Sequence, residues 1–215
     1  GIFTGTPVPV GGKFGMASKS PLTGFIGDSL SGSWFSIALK RAGWDGVVLH
    51  NSCENWTHLF IDDDRVQFFD ATYLLGKGTF ETEEAIREKM GDEQIRSCTI
   101  GICGERLVRY ANVTNDGRQL GRTGHGMIWG HKKLKAFSVR GTKGVKVFDP
   151  ATLNKLSYDI SKAAQGKDTE KYRIYGTATG LMSQNKAGVL PTRNFSEGVF
   201  EHAEEVSGEY LDKHH

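Results

Sequence analysis

Cysteine is scarce in this sequence, and the three that occur, Cys53, Cys98 and Cys103, make a poor disulfide framework. An odd, sparse set suits a reducing compartment. No apolar run approaches the roughly 20 residues that a membrane-spanning helix needs, which excludes a helical membrane protein. No leader pattern is read at the first residues, and a cytoplasmic location is expected. The chain opens on Gly1 without a methionine and closes on His214-His215. Such ends read as a piece of a longer chain, a processed chain, or natural ends of that form. Net charge is only +2, so no global field draws the chain to nucleic acid. The phosphate-loop spacing GxxxxGK[ST] is missing, and Gly121, Gly124 and Gly126 do not follow the GxGxxG order of dinucleotide folds.

Glycine, in contrast, is abundant, at 28 of 215 residues, without a collagen period. These glycines are expected to mark turns and places where backbone approaches something closely. Around them the chain reads as mixed α and β. Ser31 or Ser33 can cap a helix over "WFSIALKRAG", and "GVVLH" at 46–50 reads as a buried strand. "THLFIDDDRVQFFD" reads as a hairpin with an acidic turn. "TFETEEAIREKMG" is the clearest helix, with Ala85, Ile86 and Met90 on one face and Gly91 to stop it. "IRSCTIGIC", "RLVRYANV" and "LKAFSVRG" read as strands. Beyond Phe148–Pro150 the pattern becomes helical, beginning with "DPATLNKLSYDISKAAQG", where Asp149 caps and Pro150 takes the first position. The expected organisation is a strand-rich domain at 1–148 and the start of a helical one at 149–215.

The stretch "NDGRQLGRTGHGMIWGHKKLKAF" (115–137) bears on function. Between Gly117 and Lys146 there are eight Lys/Arg, seven glycines and no acid. Glycines expose backbone N–H groups, and arginines grip phosphate with a planar fork. The pattern suggests a phosphate or pyrophosphate: a nucleotide, a phosphorylated cofactor or a nucleic-acid backbone. The competing reading is a solvated basic loop with ordinary turn glycines. Lys13 and Lys19 lie in a second glycine-basic stretch, and Ser31-Gly32-Ser33 forms a third at a helix start. His125 is a candidate proton donor or ligand partner, whereas its spacing from His131 does not suit zinc.

Several stretches, "SKSPLTGFIGDSLSGSWF", "LFIDDDRVQFFDATYLLGKGTFETEEAIREKMG", "IGICGERLVRYANVTNDGRQLGRTGHGMIWGHKKLKAFSVRG" and "YGTATGLMSQNKAGVLPTRNFSEGVFEHAEEVSGE", resemble the N-terminal region of the tungsten-containing aldehyde ferredoxin oxidoreductases. The likeness spans nearly the whole chain. It implies an α+β fold, a two-sheet pterin-binding base domain followed by the start of a helical domain. It implies a bis-molybdopterin cofactor carrying tungsten or molybdenum, and oxidation of an aldehyde to a carboxylic acid. Electrons would pass through a 4Fe-4S cluster to ferredoxin. By position, the resemblance places first-domain cofactor contacts on Lys13, Gly32, Arg118, Gln119, Gly121 and Arg122. It gives no catalytic acid or base, and no metal ligand from this chain's side chains.

The chain also departs from the family pattern. Lys13 replaces a usual arginine, and Gln119 a usual small residue. Leu30 stands where the family has an asparagine that helps hold a magnesium ion between the cofactor phosphates. That ion is then bound through backbone or absent. Thr123, His125, Trp129, His131, Cys103 and Arg106 are further departures, so the substrate need not be a simple aldehyde, and reduction of an aromatic thioester is an alternative. The family's C-x₂-C-x₃-C cluster ligands do not occur here. The expected partners are therefore the remainder of the enzyme or a cluster-bearing subunit, ferredoxin, a small aldehyde or acid, and a further copy of the chain; nucleic acid and membrane are not expected. A non-catalytic phosphate- or nucleotide-binding remnant of the fold is the remaining reading.

Overall fold

The computed structural model describes residues 1–214. Contacts divide the chain into two compact units, Gly1–Asn154 and the residues from Lys155 onward.

The first unit is built on strand alternation. β3 (Thr57–Asp62) and β4 (Arg65–Asp70) form the acidic-turn hairpin, closed by Asp63 in the left-handed region at φ 49°. They begin a six-stranded sheet of order β4-β3-β8-β5-β6-β7, completed by β5 (Arg96–Thr99), β6 (Val113–Asn115), β7 (Arg118–Leu120) and β8 (Leu134–Arg140). Only β3 and β8 pair in parallel; every other neighbour is antiparallel. β8 is buried from Leu134 to Val139, as a strand covered on both faces must be. Alternate residues feed two cores. Leu59, Ile61, Phe137 and Val139 meet Phe35 and Trp129 in one, while Phe60 and Ala136 meet Leu74 and Ile86 in the other.

Each face is covered by a helix that the sequence announces. α1 (Trp34–Arg41) starts at Ser33, whose hydroxyl accepts from the Phe35 N–H at 3.1 Å. Phe35 meets the edge of the Phe137 ring at 5.2 Å between centroids. α2 (Thr79–Met90) buries Ile86 completely and ends at Gly91, left-handed at φ 66°. A separate two-stranded hairpin, β1 (Lys13–Lys19) with β2 (Ile26–Gly32), turns Phe14 and Met16 toward the first core.

Buried polar groups join the strands. His58 Nε2 and Ser138 Oγ are 2.8 Å apart, and Ser138 meets Ser97 at 2.7 Å. Burial, helped by the nearby Lys89 charge, pushes His58 down to about 4, so it is neutral. Lys135 on β8 is wholly buried. Its Nζ donates to Glu105 Oε1 at 2.5 Å, Ile100 O at 2.8 Å and Lys77 O at 3.0 Å. Glu105, at the end of α3 (Ile102–Glu105), also accepts the Gly76 N–H.

Three strand expectations are corrected. "GVVLH" forms no strand: Val48 is 77% exposed, and no strand among the described residues pairs with the segment. "RLVRYANV" is strand only at its end, because Ile102–Glu105 turns helical and Leu107 is left-handed at φ 56°. "IRSCTIGIC" likewise narrows to β5.

The second unit contains most of α5 (Pro150–Ala163), α6 (Glu170–Tyr175), α7 (Leu181–Lys186) and α8 (Gly208–His214). Asp149 Oδ1 accepts the Thr152 N–H at 3.0 Å at the start of α5. The Asn185 side chain clasps the Phe200 backbone, donating to its O at 3.0 Å and accepting its N–H at 2.7 Å. Arg193 pairs with Glu197 at 2.7 Å and with Glu201.

Candidate functional site

The glycine-basic stretch folds as two different things. Its first part is a hairpin: Asn115 pairs with Arg118 across Asp116 and Gly117, at φ 45° and 73°. Two consecutive positive φ values make the tight hairpin turn that Asp-Gly favours. β7 carries Arg118 and Gln119 outward, both exposed, and buries Leu120. Gly121 and Arg122 follow, also exposed.

The β1–β2 hairpin lies alongside. Asn115 Nδ2 donates to Ser31 Oγ at 3.1 Å, and the Arg122 N–H donates to Ser29 Oγ at 3.4 Å. Lys13 pairs with Gly32 at the end of the hairpin. Of the six positions that the resemblance points to, Gly32 lies on β2, which packs beside β7 with Arg118 and Gln119; Lys13 pairs with Gly32 from β1, and Gly121 and Arg122 directly follow β7.

A side chain at either glycine would make ordinary contacts and no clash. A Cβ on Gly121 would meet no atom nearer than 3.8 Å, and one on Gly32 none nearer than 3.5 Å. Among the described residues, Lys13, Arg118 and Arg122 have no acidic or hydrogen-bonding partner for their side chains. Of the eight cations between 117 and 146, five do have partners. Lys132 and Lys133 donate to the carbonyls of Asn51 and Glu54. Lys135 holds Glu105, Arg140 holds Asp92 and Lys143 holds Asp64. That leaves Arg118, Arg122 and Lys146. The basic run is thus no continuous stripe for a nucleic-acid backbone, and the available charge is concentrated on the hairpin.

The later glycines are not ligand glycines. A Cβ on Gly130 would lie 1.9 Å from Gly104 O, and one on Gly126 would lie 2.4 Å from Asn112 O. Gly124, left-handed at φ 77°, would place its Cβ 2.1 Å from Arg109 O. They let α4 (His125–His131) press against α3 and the loop before β6.

His125 is a strut, not a free ligand group. It is 1% exposed, with Ser18 Oγ at 2.8 Å from Nδ1 and Thr123 Oγ1 at 3.2 Å from Nε2. Burial holds it below its ordinary value, against a smaller opposing pull from Asp28. It lines a largely apolar cavity of about 370 Å³, with Met16, Phe35, Trp129 and Phe137 among the other walls. Lys19 remains exposed at the far end of β1. Leu30 is 68% exposed and its Cδ2 lies over Gly15, on the outer face it shares with Lys13.

Sequence reasoning missed Glu83 and Asp116. Glu83 on α2 is 4% exposed and stands by the Asp116 turn. Burial and the Asp116 charge push it up to about 7, against the pull of Arg87, the Asp116 N–H and Arg96. The Asp-Gly dipeptide could have signalled the turn; nothing in the sequence joins it to α2.

Comparison with known proteins agrees with this architecture. Residues 1–141 match the family model described as aldehyde ferredoxin oxidoreductase, N-terminal domain, and residues 155–215 match that for domains 2 and 3. A tungsten-containing aldehyde ferredoxin oxidoreductase of Thermococcus kodakarensis is 43% identical over 98% of this chain and 35% of its own length. One of Pyrococcus abyssi is 41% identical with the same coverage. Among solved structures, the active site complex BamBC of benzoyl coenzyme A reductase in complex with 1,5 dienoyl-CoA superposes with a TM-score of 0.67 at 27% identity. That match covers 88% of this chain and 26% of the other. The chain thus spans about a third of the length of the relatives it matches. On the family-model match over both its parts, the chain belongs to the aldehyde ferredoxin oxidoreductase family.

Proposed function

We propose that this chain is the tungstopterin-binding part of an aldehyde:ferredoxin oxidoreductase-type enzyme, with residues 1–148 as base domain and 149 onward as the start of the helical region. One observation carries the reading: three exposed cations, Lys13, Arg118 and Arg122, without side-chain partners among the described residues, lie on two neighbouring hairpins with Gly32 and Gly121, where a Cβ would meet no clash. That donor set fits the phosphate and pterin ends of the cofactor. Arg118 and Arg122 supply planar, charge-assisted hydrogen bonds to phosphate, while Lys13 supplies a point charge. Gly32 and Gly121 let the ligand reach backbone N–H and C=O groups, and the exposed Gln119 carries an amide at the same edge.

Tungsten or molybdenum in the bound cofactor supplies two-electron oxidation of an aldehyde to a carboxylic acid, with electrons passed to a 4Fe-4S cluster and ferredoxin. This chain's contribution is to bind and orient the cofactor. The remainder of the enzyme, or a cluster-bearing subunit, supplies the cluster, and the cytoplasm is its place of work. Leu30 does not fit a magnesium ligand: its side chain has no donor atom, so an ion between the phosphates would have only backbone from this position. A second reading, reduction of an aromatic thioester, draws on the likeness to benzoyl coenzyme A reductase. The higher identity to the aldehyde enzymes favours the first.

The test is metal and pterin analysis of holoenzyme purified without oxygen, wild type beside Arg118→Ala and Arg122→Ala. The reading expects bound tungsten or molybdenum with pterin in the wild type and reduced content in both variants. Wild-type content in both variants removes the assignment.

A further inference from the structure

Arg122, just past β7, has both of its peptide groups tied toward the β1–β2 hairpin. Its N–H donates to Ser29 Oγ of β2 at 3.4 Å. Its carbonyl accepts the Thr123 hydroxyl at 2.7 Å. That hydroxyl stands 3.2 Å from Nε2 of the buried His125, and Nδ1 of the same ring stands 2.8 Å from Ser18 Oγ of β1. Four residues thus form one unbroken hydrogen-bonded chain from β1 to the backbone of Arg122.

Counting protons gives the chain a direction. A threonine hydroxyl has one proton, and Thr123 gives it to Arg122 O. Thr123 Oγ1 must then accept from His125, so the ring carries its proton on Nε2. Burial, against a smaller pull from Asp28, favours the neutral ring, which has only that one N–H. Nδ1 is therefore the acceptor, and Ser18 donates to it. Each donor in the relay is used once, and none is left over.

The backbone is bent to make this relay. Thr123 is left-handed at φ 67°, a region that β-branched residues seldom enter. A residue stays in such a conformation only where its surroundings hold it. Gly27, opposite Ser18 in the hairpin, makes the room: a Cβ there would lie 2.5 Å from Thr123 Cβ and Oγ1. A histidine that only filled space would need neither the strained threonine nor this glycine. We infer that His125 is a positioning residue for the anion site: through Thr123 it fixes the Arg122 carbonyl against β1, and with it the direction in which the Arg122 side chain leaves the backbone. The inference rests on the proposed role of Arg122.

The experiment measures the rate of pterin and tungsten release from anaerobic holoenzyme. Wild type is compared with Thr123→Val, His125→Asn, His125→Gln, Arg122→Ala and the Thr123→Val/Arg122→Ala pair. Urea midpoints of the same samples separate release from unfolding. Glutamine can place an N–H donor where Nε2 stands, whereas asparagine reaches only the Nδ1 position. Thr123→Val and His125→Asn are expected to release cofactor about fivefold faster, the scale of one neutral hydrogen bond. His125→Gln should release close to the wild-type rate, and the pair no faster than Arg122→Ala alone. Independent, multiplying losses in the pair overturn the inference, as does a His125→Gln rate equal to that of His125→Asn. Should the His125 variants fail to accumulate, Thr123→Val and the pair decide alone. Wild-type release by Arg122→Ala would remove the proposed site and this inference together; fast release by Arg122→Ala with wild-type release by Thr123→Val removes the inference only.

Discussion

The two halves of the stretch from Asn115 to Phe137 use the same residue types for opposite ends. In the first half, glycine makes a turn at 117 and an exposed, unclashed position at 121, and the exposed side chains of arginines 118 and 122 have no partner among the described residues. In the second, glycines 124, 126 and 130 are packed against backbone, and Lys135 is turned wholly into the core. Glycine and positive charge together therefore do not define an anion site. What separates the halves is whether a side chain at the glycine would clash with backbone and whether the cation already has a partner.

The comparison can be broken from either side. The largest effects belong to the second half. Lys135→Ala leaves the partly buried Glu105 without its cation and should cost about 3 kcal/mol, read from the urea midpoint. Gly130→Ala forces α4 off α3 and should cost about 3 kcal/mol or more. In the first half, Arg118→Ala and Arg122→Ala should change stability by less than about 0.5 kcal/mol, because neither side chain holds anything within the fold.

A pH titration sharpens the same contrast. Glu83 is raised to about 7 from 4.5, so its contribution to stability is whole below 4.5 and lost as pH rises through 7. His58 is lowered to about 4 from 6.5, so its contribution is whole above 6.5 and lost as pH falls through 4. The two slopes oppose each other from about 4.5 to 6.5, and only Glu83 acts above that range. Glu83→Gln should therefore gain roughly 2 kcal/mol on wild type between pH 5 and 8, measured by denaturant titration at both. The smallest effect is Gly121→Ala, where a Cβ meets nothing closer than ordinary contact, so the stability change should be within about 0.5 kcal/mol; any loss should appear in cofactor content alone.

Much of this was legible in the sequence where the signal is local. An apolar run and an acidic turn marked the β3–β4 hairpin, Ser33 and Gly91 marked helix ends, and β8 showed as a strand. Local signals also misled. Val47, Val48 and Leu49 resemble a buried strand, yet no strand among the described residues pairs with them. "RLVRYANV" alternates like a strand, but the close approach of Gly104 to Gly126 and Gly130 fixes that region as helix and turn. The six proposed contacts could be named only by family likeness, because Lys13 and Arg118 come from separate hairpins. Lys135 with Glu105 and Glu83 with Asp116 were invisible for the same reason: each pair is made by the fold, across elements distant in sequence.

The most direct test of the central claim is tungsten, molybdenum and pterin content per chain in holoenzyme carrying Arg118→Ala and Arg122→Ala together, with the urea midpoint measured on the same samples. The account predicts a wild-type midpoint with most of the cofactor gone. Full cofactor content at an unchanged midpoint would show that the anion is held elsewhere, and that the exposed half of the stretch is a solvated hairpin.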